Sequence, residues 1–160
     1  MKKAGAVLTR DGGFVTATVR VIYGDTDMMG VAYYANYLRW FEVGRNELIR
    51  TRGLTYRQFE DRGLILPVAE VHVKYLESAH YDDELEIMTR TSELGRVRVS
   101  FEYEIWRRSE SDRPRDLIAT GFTAHACLAR EDLKPTRIPA DYATLLRGFE
   151  AEAPDPEEEG

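Results

Sequence analysis

From Tyr23 to Arg45 the chain reads YGDTDMMGVAYYANYLRWFEVGR, and inside this stretch one periodicity replaces another. The alternation of a strand gives out at Tyr23, two carboxylates (Asp25 and Asp27) and Gly30 follow, and apolar residues at helical spacing take over from about Ala35. A strand, an irregular acidic loop and a helix start therefore meet within a few residues. The first N–H groups of a helix have no acceptor inside it and carry the positive end of its dipole. A carboxylate beside them makes a place where negative charge developing in a reaction can be stabilised. Function is expected at this junction.

The flanking segments set the fold. Phe14–Tyr23 reads as a strand, with Val15, Ala17, Val19 and Val21 on one face. Tyr37, Phe41, Gly44 and Leu48, with Leu38, Arg45 and Ile49 beside them, predict a long helix that ends near Arg52 and stops at Gly53. Glycine in a helix interior costs about 1 kcal/mol relative to alanine, so Gly44 implies close approach to a sheet. Thr55 and Gln58 form a capping-box pattern for a helix of two turns closed by Gly63. Leu64–Leu76 reads as one strand, at an edge or bulged because Pro67 lacks an N–H. Alternation continues in Glu84–Thr91, Arg96–Arg107 and Asp116–Arg130, and a short helix is expected at Ala140–Phe149. A helix followed by a run of strands implies an α+β fold: an antiparallel sheet of about five strands wrapped around one long central helix that hides Leu38, Phe41 and Leu48. Such a sheet has open edges, and pairing with a second copy is the simplest way to cover one.

Several function classes are excluded. The net charge of −6 owes most to five acidic residues among the last ten, so the body is near neutral and has no basic run suited to nucleic acid. One cysteine, Cys127, allows no internal disulfide. No apolar stretch reaches the roughly 20 residues of a membrane helix, and a cytoplasmic protein is the expectation. His72, His80 and His125 lack ligand spacing, which argues against a metal site. Residues 1–13 read as a flexible leader, 14–150 as one domain and 151–160 as an acidic disordered tail.

The segment Gly24–Tyr37, GDTDMMGVAYYANY, followed by Arg39-Trp40-Phe41-Glu42, resembles the signature of the hotdog-fold acyl-CoA thioesterases of the 4-hydroxybenzoyl-CoA thioesterase type. Tyr81-Asp82-Asp83 with Leu85 and Ile87, and Ile138-Pro139-Ala140-Asp141-Tyr142, are similar to further parts of that family, so the likeness spans about Phe14 to Phe149. It implies an acyl-CoA thioesterase that hydrolyses the thioester of an aryl- or acyl-CoA to free acid and CoA.

Position by position, the resemblance makes Asp27 the catalytic carboxylate, either as nucleophile or as the base that activates water. It makes the backbone N–H of Tyr34 the donor to the thioester oxygen. The Tol-Pal-associated subgroup carries histidine where this chain has Tyr34, and its absence leans the likeness toward the hydroxybenzoyl branch. Asp25 reads as structural, tied to nearby backbone N–H groups. Gly30, Met28, Met29, Tyr33 and Leu66 are candidates for substrate binding, although such apolar residues serve equally as core. Arg96, Arg98 and Arg137 are the candidates for the phosphates of coenzyme A, which is part of the substrate; no other cofactor is implied. The assembly implied is a homodimer or a dimer of dimers. A non-catalytic acyl-CoA-binding module and an acyl-carrier-protein thioesterase or dehydratase on the same fold stand as alternatives. The dehydratase is disfavoured because no histidine lies near Asp27 in the chain.

Overall fold

The computed structural model describes residues 7–8, 15–109 and 116–148. The tail 151–160 and all of the expected leader except Val7–Leu8 lie outside the described residues. In chain order the elements are β1 (Val7–Leu8), β2 (Val15–Arg20), a single 3-10 turn (Tyr23–Asp25), α1 (Asn36–Arg50), α2 (Tyr56–Asp61), β3 (Leu64–Ile65), β4 (Val68–Tyr75), β5 (Glu84–Leu94), β6 (Arg98–Arg107), β7 (Asp116–Ala126), β8 (Leu128–Ala129) and α3 (Ala140–Arg147). Five long strands and the two-residue β1 make one antiparallel sheet in the order β1-β2-β5-β6-β7-β4, and β3 pairs with β8 beside it.

α1 crosses the sheet against β2 and β5. Its buried stripe is Tyr37, Trp40, Phe41, Gly44, Leu48 and Ile49, close to the expected periodicity. Leu38 departs from the expectation: it is half-exposed, one position off the buried stripe. Gly44 is explained by the sheet, since a Cβ there would collide with Thr89 Oγ1 and come within 2.9 Å of Ile87 Cγ2. Gly121 on β7 serves the opposite surface of the contact, where a Cβ would lie 2.7 Å from Phe41 Cζ. Phe41 sits flat on Tyr103 at 4.2 Å between ring centroids. Val99, Phe101, Tyr103 and Ile105 of β6 point inward against them and are fully buried.

The expected strand Leu64–Leu76 is two strands. Proline at 67 cannot donate to a ladder, so the chain leaves its pairing with β8 after Ile65 and resumes at Val68 on β7, with a bulge between Val68 and Glu70. The expected strand 116–130 divides for the complementary reason, because Leu128 and Ala129 turn away to pair with β3. β4 ends the sheet, and nearly all of its residues are exposed. Thr55 and Gln58 make the reciprocal capping box, at 3.1 and 3.0 Å. α3 docks through Tyr142, whose hydroxyl donates to Thr55 O at 2.6 Å. Among the described residues no helix is long and apolar enough to cross a membrane.

Candidate active site

The acidic loop is held by its first carboxylate. Asp25 is 4% exposed; its Oδ2 accepts the Ile22 N–H at 3.0 Å and its Oδ1 the Arg39 guanidinium at 3.2 Å. Its backbone carbonyl accepts two more bonds, from Tyr33 N–H at 2.7 Å and Asn36 Nδ2 at 2.8 Å. A buried carboxylate is tolerated when it is paired in this way. Asp25 is therefore a fastener that ties the end of β2 to the start of α1, as its place beside glycine suggested.

Asp27 is placed differently. The chain reverses around it through Gly30, at φ +78, with Gly30 N–H donating to Asp27 O at 3.0 Å and Asp27 N–H to Val31 O at 2.9 Å. That left-handed conformation is what makes glycine suitable at position 30. Oδ1 of Asp27 accepts the Met29 N–H at 2.8 Å, whereas Oδ2 accepts nothing from a described residue. The side chain is half-buried, with one oxygen available.

The start of α1 is similarly open. No side chain caps the helix. Tyr33 N–H is taken by Asp25 O, Tyr33 O accepts the Asn36 N–H at 2.9 Å, and Tyr34 O accepts the Tyr75 hydroxyl at 2.8 Å. Of the four backbone polar groups of Tyr33 and Tyr34, this leaves the Tyr34 N–H without an acceptor among the described residues.

Asp27 and Tyr34 line one cavity of about 260 Å³, together with Met29, Tyr37, Tyr75 and Ser78. Its far wall is pinned from several sides. Ala32 N–H donates to Ala79 O at 2.8 Å, Ala79 N–H reaches Tyr37 OH at 3.4 Å, and Arg107 holds Glu77 at 2.9 Å, Ser78 O at 2.9 Å and Asp116 at 3.0 Å. Tyr75, Tyr37 and Ser78 were not among the residues expected from sequence. Tyr75 stands on β4, 41 residues from Tyr34, and reads only as one more apolar residue on a strand. Local pattern carries no signal for such a meeting.

The remaining expected residues divide among several places. Met28 and Tyr33 are exposed and line no part of this cavity, and Gly30 shapes the turn beside it. The alternative that the methionines are core does not hold, since Met28 and Met29 both lie on the surface. Leu66 lines a second cavity of about 180 Å³ on another flank of α1, with Glu42, Arg45 and Phe101. Arg98 borders a cleft of about 820 Å³ between the β5–β6 turn and β7. Arg96 and Arg137 are exposed, and the bond from Ile138 N–H to Arg96 O, at 3.0 Å, brings their segments together. None of the three arginines forms an ion pair with a described residue.

A second polar cluster lies inside the sheet. His125 Nδ1–H donates to Leu66 O at 3.0 Å, Nε2 accepts the Thr123 hydroxyl at 2.8 Å, and Thr123 Oγ1 in turn accepts from Tyr103 OH at 2.6 Å. Burial pushes the imidazole pKa down to about 4, so it is neutral here. The Cys127 thiol is fully buried and pushed up to about 11 by that burial. With both imidazole nitrogens engaged elsewhere, the two do not form a nucleophilic pair. No group of three or more His, Cys, Asp or Glu that could hold a metal ion occurs among the described residues.

Comparison with known proteins gives this site its family. The sequence profile of the Thioesterase-like superfamily matches residues 21–146. Acyl-CoA thioesterase YbgC of Haemophilus influenzae is 32% identical over 132 residues, which cover 82% of this chain and 92% of that protein. DHNA-CoA thioesterase from Staphylococcus aureus superposes with a TM-score of 0.76 at 30% identity, covering 82% of this chain and 87% of that one. A mutant 4-hydroxybenzoyl-CoA thioesterase in complex with 4-hydroxybenzoyl-CoA superposes with a TM-score of 0.76 at 25% identity, over 84% of this chain and 99% of that one. With an antiparallel sheet packed around α1 and a family match over nearly all of the described domain, this chain belongs to the Thioesterase-like superfamily of hotdog-fold proteins, as an acyl-CoA thioester hydrolase.

Proposed function

We propose that this protein hydrolyses an aryl-CoA thioester, with the carbonyl carbon held between Asp27 and the N–H of Tyr34. The observation that carries the reading is that a carboxylate oxygen and a backbone donor, both without a partner among the described residues, line the same cavity. A thiolate leaves readily, so the protein has two tasks: to supply the attacker and to stabilise the charge that builds on the carbonyl oxygen. Asp27 performs the first, attacking directly or drawing the proton from water. The Tyr34 N–H performs the second, and a donor of this kind is typically worth about 2.7–4 kcal/mol.

The tyrosines around the cavity favour a flat aromatic acyl group, as do relatives named for dihydroxynaphthoyl- and hydroxybenzoyl-CoA. Met29 sits at the cavity wall; Met28 and Tyr33 are exposed outside it, and Leu66 lines the separate cavity on another flank of α1. Arg96, Arg98 and Arg137 receive the phosphates of coenzyme A, since all three are exposed cations without a described carboxylate partner. The edge of β4, unpaired among the described residues, supports a homodimer, the minimum unit for pairs of dimers, and the enzyme acts on cytoplasmic acyl-CoA.

The test is release of free thiol from a panel of aryl- and alkyl-CoA thioesters, wild type against Asp27→Ala. Turnover of aryl substrates by the wild type and its loss in the variant is the expected result. Equal rates would refute the assignment, and tight acyl-CoA binding without any turnover would identify a binding module instead.

A further inference from the structure

We infer that Tyr75 is a positioning residue for thioester hydrolysis, acting by fixing the peptide that follows the oxyanion donor. The inference rests on the reading of Tyr34 given above. Tyr75 is the last residue of β4, and its place along the sheet is set by pairing with Ala119 of β7 and by the bond from Leu76 N–H to Ile118 O at 2.9 Å. From there its hydroxyl donates to Tyr34 O at 2.8 Å, and both residues line the cavity. Its ring meets that of Tyr37 edge-on, at 4.9 Å and 88°, and Tyr37 is buried and carries the Ala79 bond of the opposite wall. Burial also raises the Tyr75 phenol pKa, so at neutral pH the hydroxyl keeps the proton it donates.

The uncapped start of α1 makes this contact matter. A Tyr34 N–H that is to meet a developing oxyanion must not swing away between turnovers, and no acceptor among the described residues holds it. Orientation must come from the bonds on either side. Upstream, Asp25 O and Asn36 N–H fix Tyr33. Downstream, Tyr75 OH is the group given to Tyr34 O. Donors already aimed before the reaction need no rearrangement in the transition state, and that lowers the barrier without tightening substrate binding.

The experiment uses the full chain and the best substrate from the CoA-thioester panel. Tyr75→Phe removes the hydroxyl and keeps the ring; Val71→Ala, on the same face of β4, perturbs the strand without touching the contact; Asp27→Asn reports on the site itself. For Tyr75→Phe, kcat is expected to fall about five- to tenfold, as loss of one neutral hydrogen bond allows, with KM within about twofold of wild type. Wild-type kcat in Tyr75→Phe alongside an inactive Asp27→Asn overturns the Tyr75 role and leaves the site standing. An equal fall of kcat in Val71→Ala assigns the effect to the strand and also overturns it. Wild-type turnover by Asp27→Asn overturns the reading of the site.

Discussion

The cavity at the start of α1 and the cluster inside β6 and β7 both gather polar, titratable side chains, yet they are built on opposite terms. In the interior, Tyr103, Thr123 and His125 pass one hydrogen bond to the next and end on Leu66 O, so the bonding capacity of the imidazole is used up within the protein. At the cavity, one oxygen of Asp27 and the N–H of Tyr34 have no partner among the described residues. A satisfied network holds one packing arrangement and resists protonation; an unsatisfied pair is a site waiting for a ligand atom. Judged by residue type alone, His125 would be the stronger candidate for chemistry. Judged by which groups still lack partners, Asp27 is.

The contrast can be broken most severely at Asp27. Asp27→Asn is expected to lower turnover by about 10²–10⁴-fold while leaving the unfolding midpoint near that of wild type, measured by thiol release and urea denaturation. If stability fell instead, Asp27 would belong with the satisfied groups. For His125 the expected effect lies in stability. In the unfolded chain its imidazole takes a proton near pH 6.5, but in the fold it does so only near 4. Stability present above pH 6.5 is therefore lost as pH falls toward 4, by about 3 kcal/mol from this residue. Urea midpoints across that range should show the slope, and His125→Gln should flatten it relative to wild type. Gly121→Ala pushes a methyl group toward Phe41 and the backbone of His72, and should cost about 1–3 kcal/mol of stability with little change in KM. The smallest effect is expected for Tyr34→Phe, about twofold or less in kcat, because the proposed role uses only its backbone. A large loss there would show that the phenol itself takes part.

Much of the fold could be read from local pattern because the forces that shape it are local or periodic. The stripe Tyr37, Phe41, Gly44 and Leu48, the Thr55 capping box and the alternation of β6 all name their own conformations and buried faces. Asp25 and Asp27 were also separable, since a carboxylate beside Gly24 with backbone donors nearby is a bonding group before it is a reagent. The exposure of Leu38 is not written in the helical period, because a helix flank is buried or exposed according to what lies beside it. The break at Pro67 was visible, but its outcome as two strands on different partners depended on β8 being near.

From residue order alone came the α+β class, the central helix, the acidic junction and, through resemblance, the reaction. These follow from side-chain period, backbone restrictions at glycine and proline, and a motif contained in one short stretch. Only the tertiary structure decided which partners were left over. Tyr75 reaches Tyr34 across 41 residues and Arg107 gathers Glu77 and Ser78 from 30 and 29 residues away. Such contacts depend on sheet register and on where α1 crosses it, quantities set by the packing of the whole core and written in no local stretch of the chain.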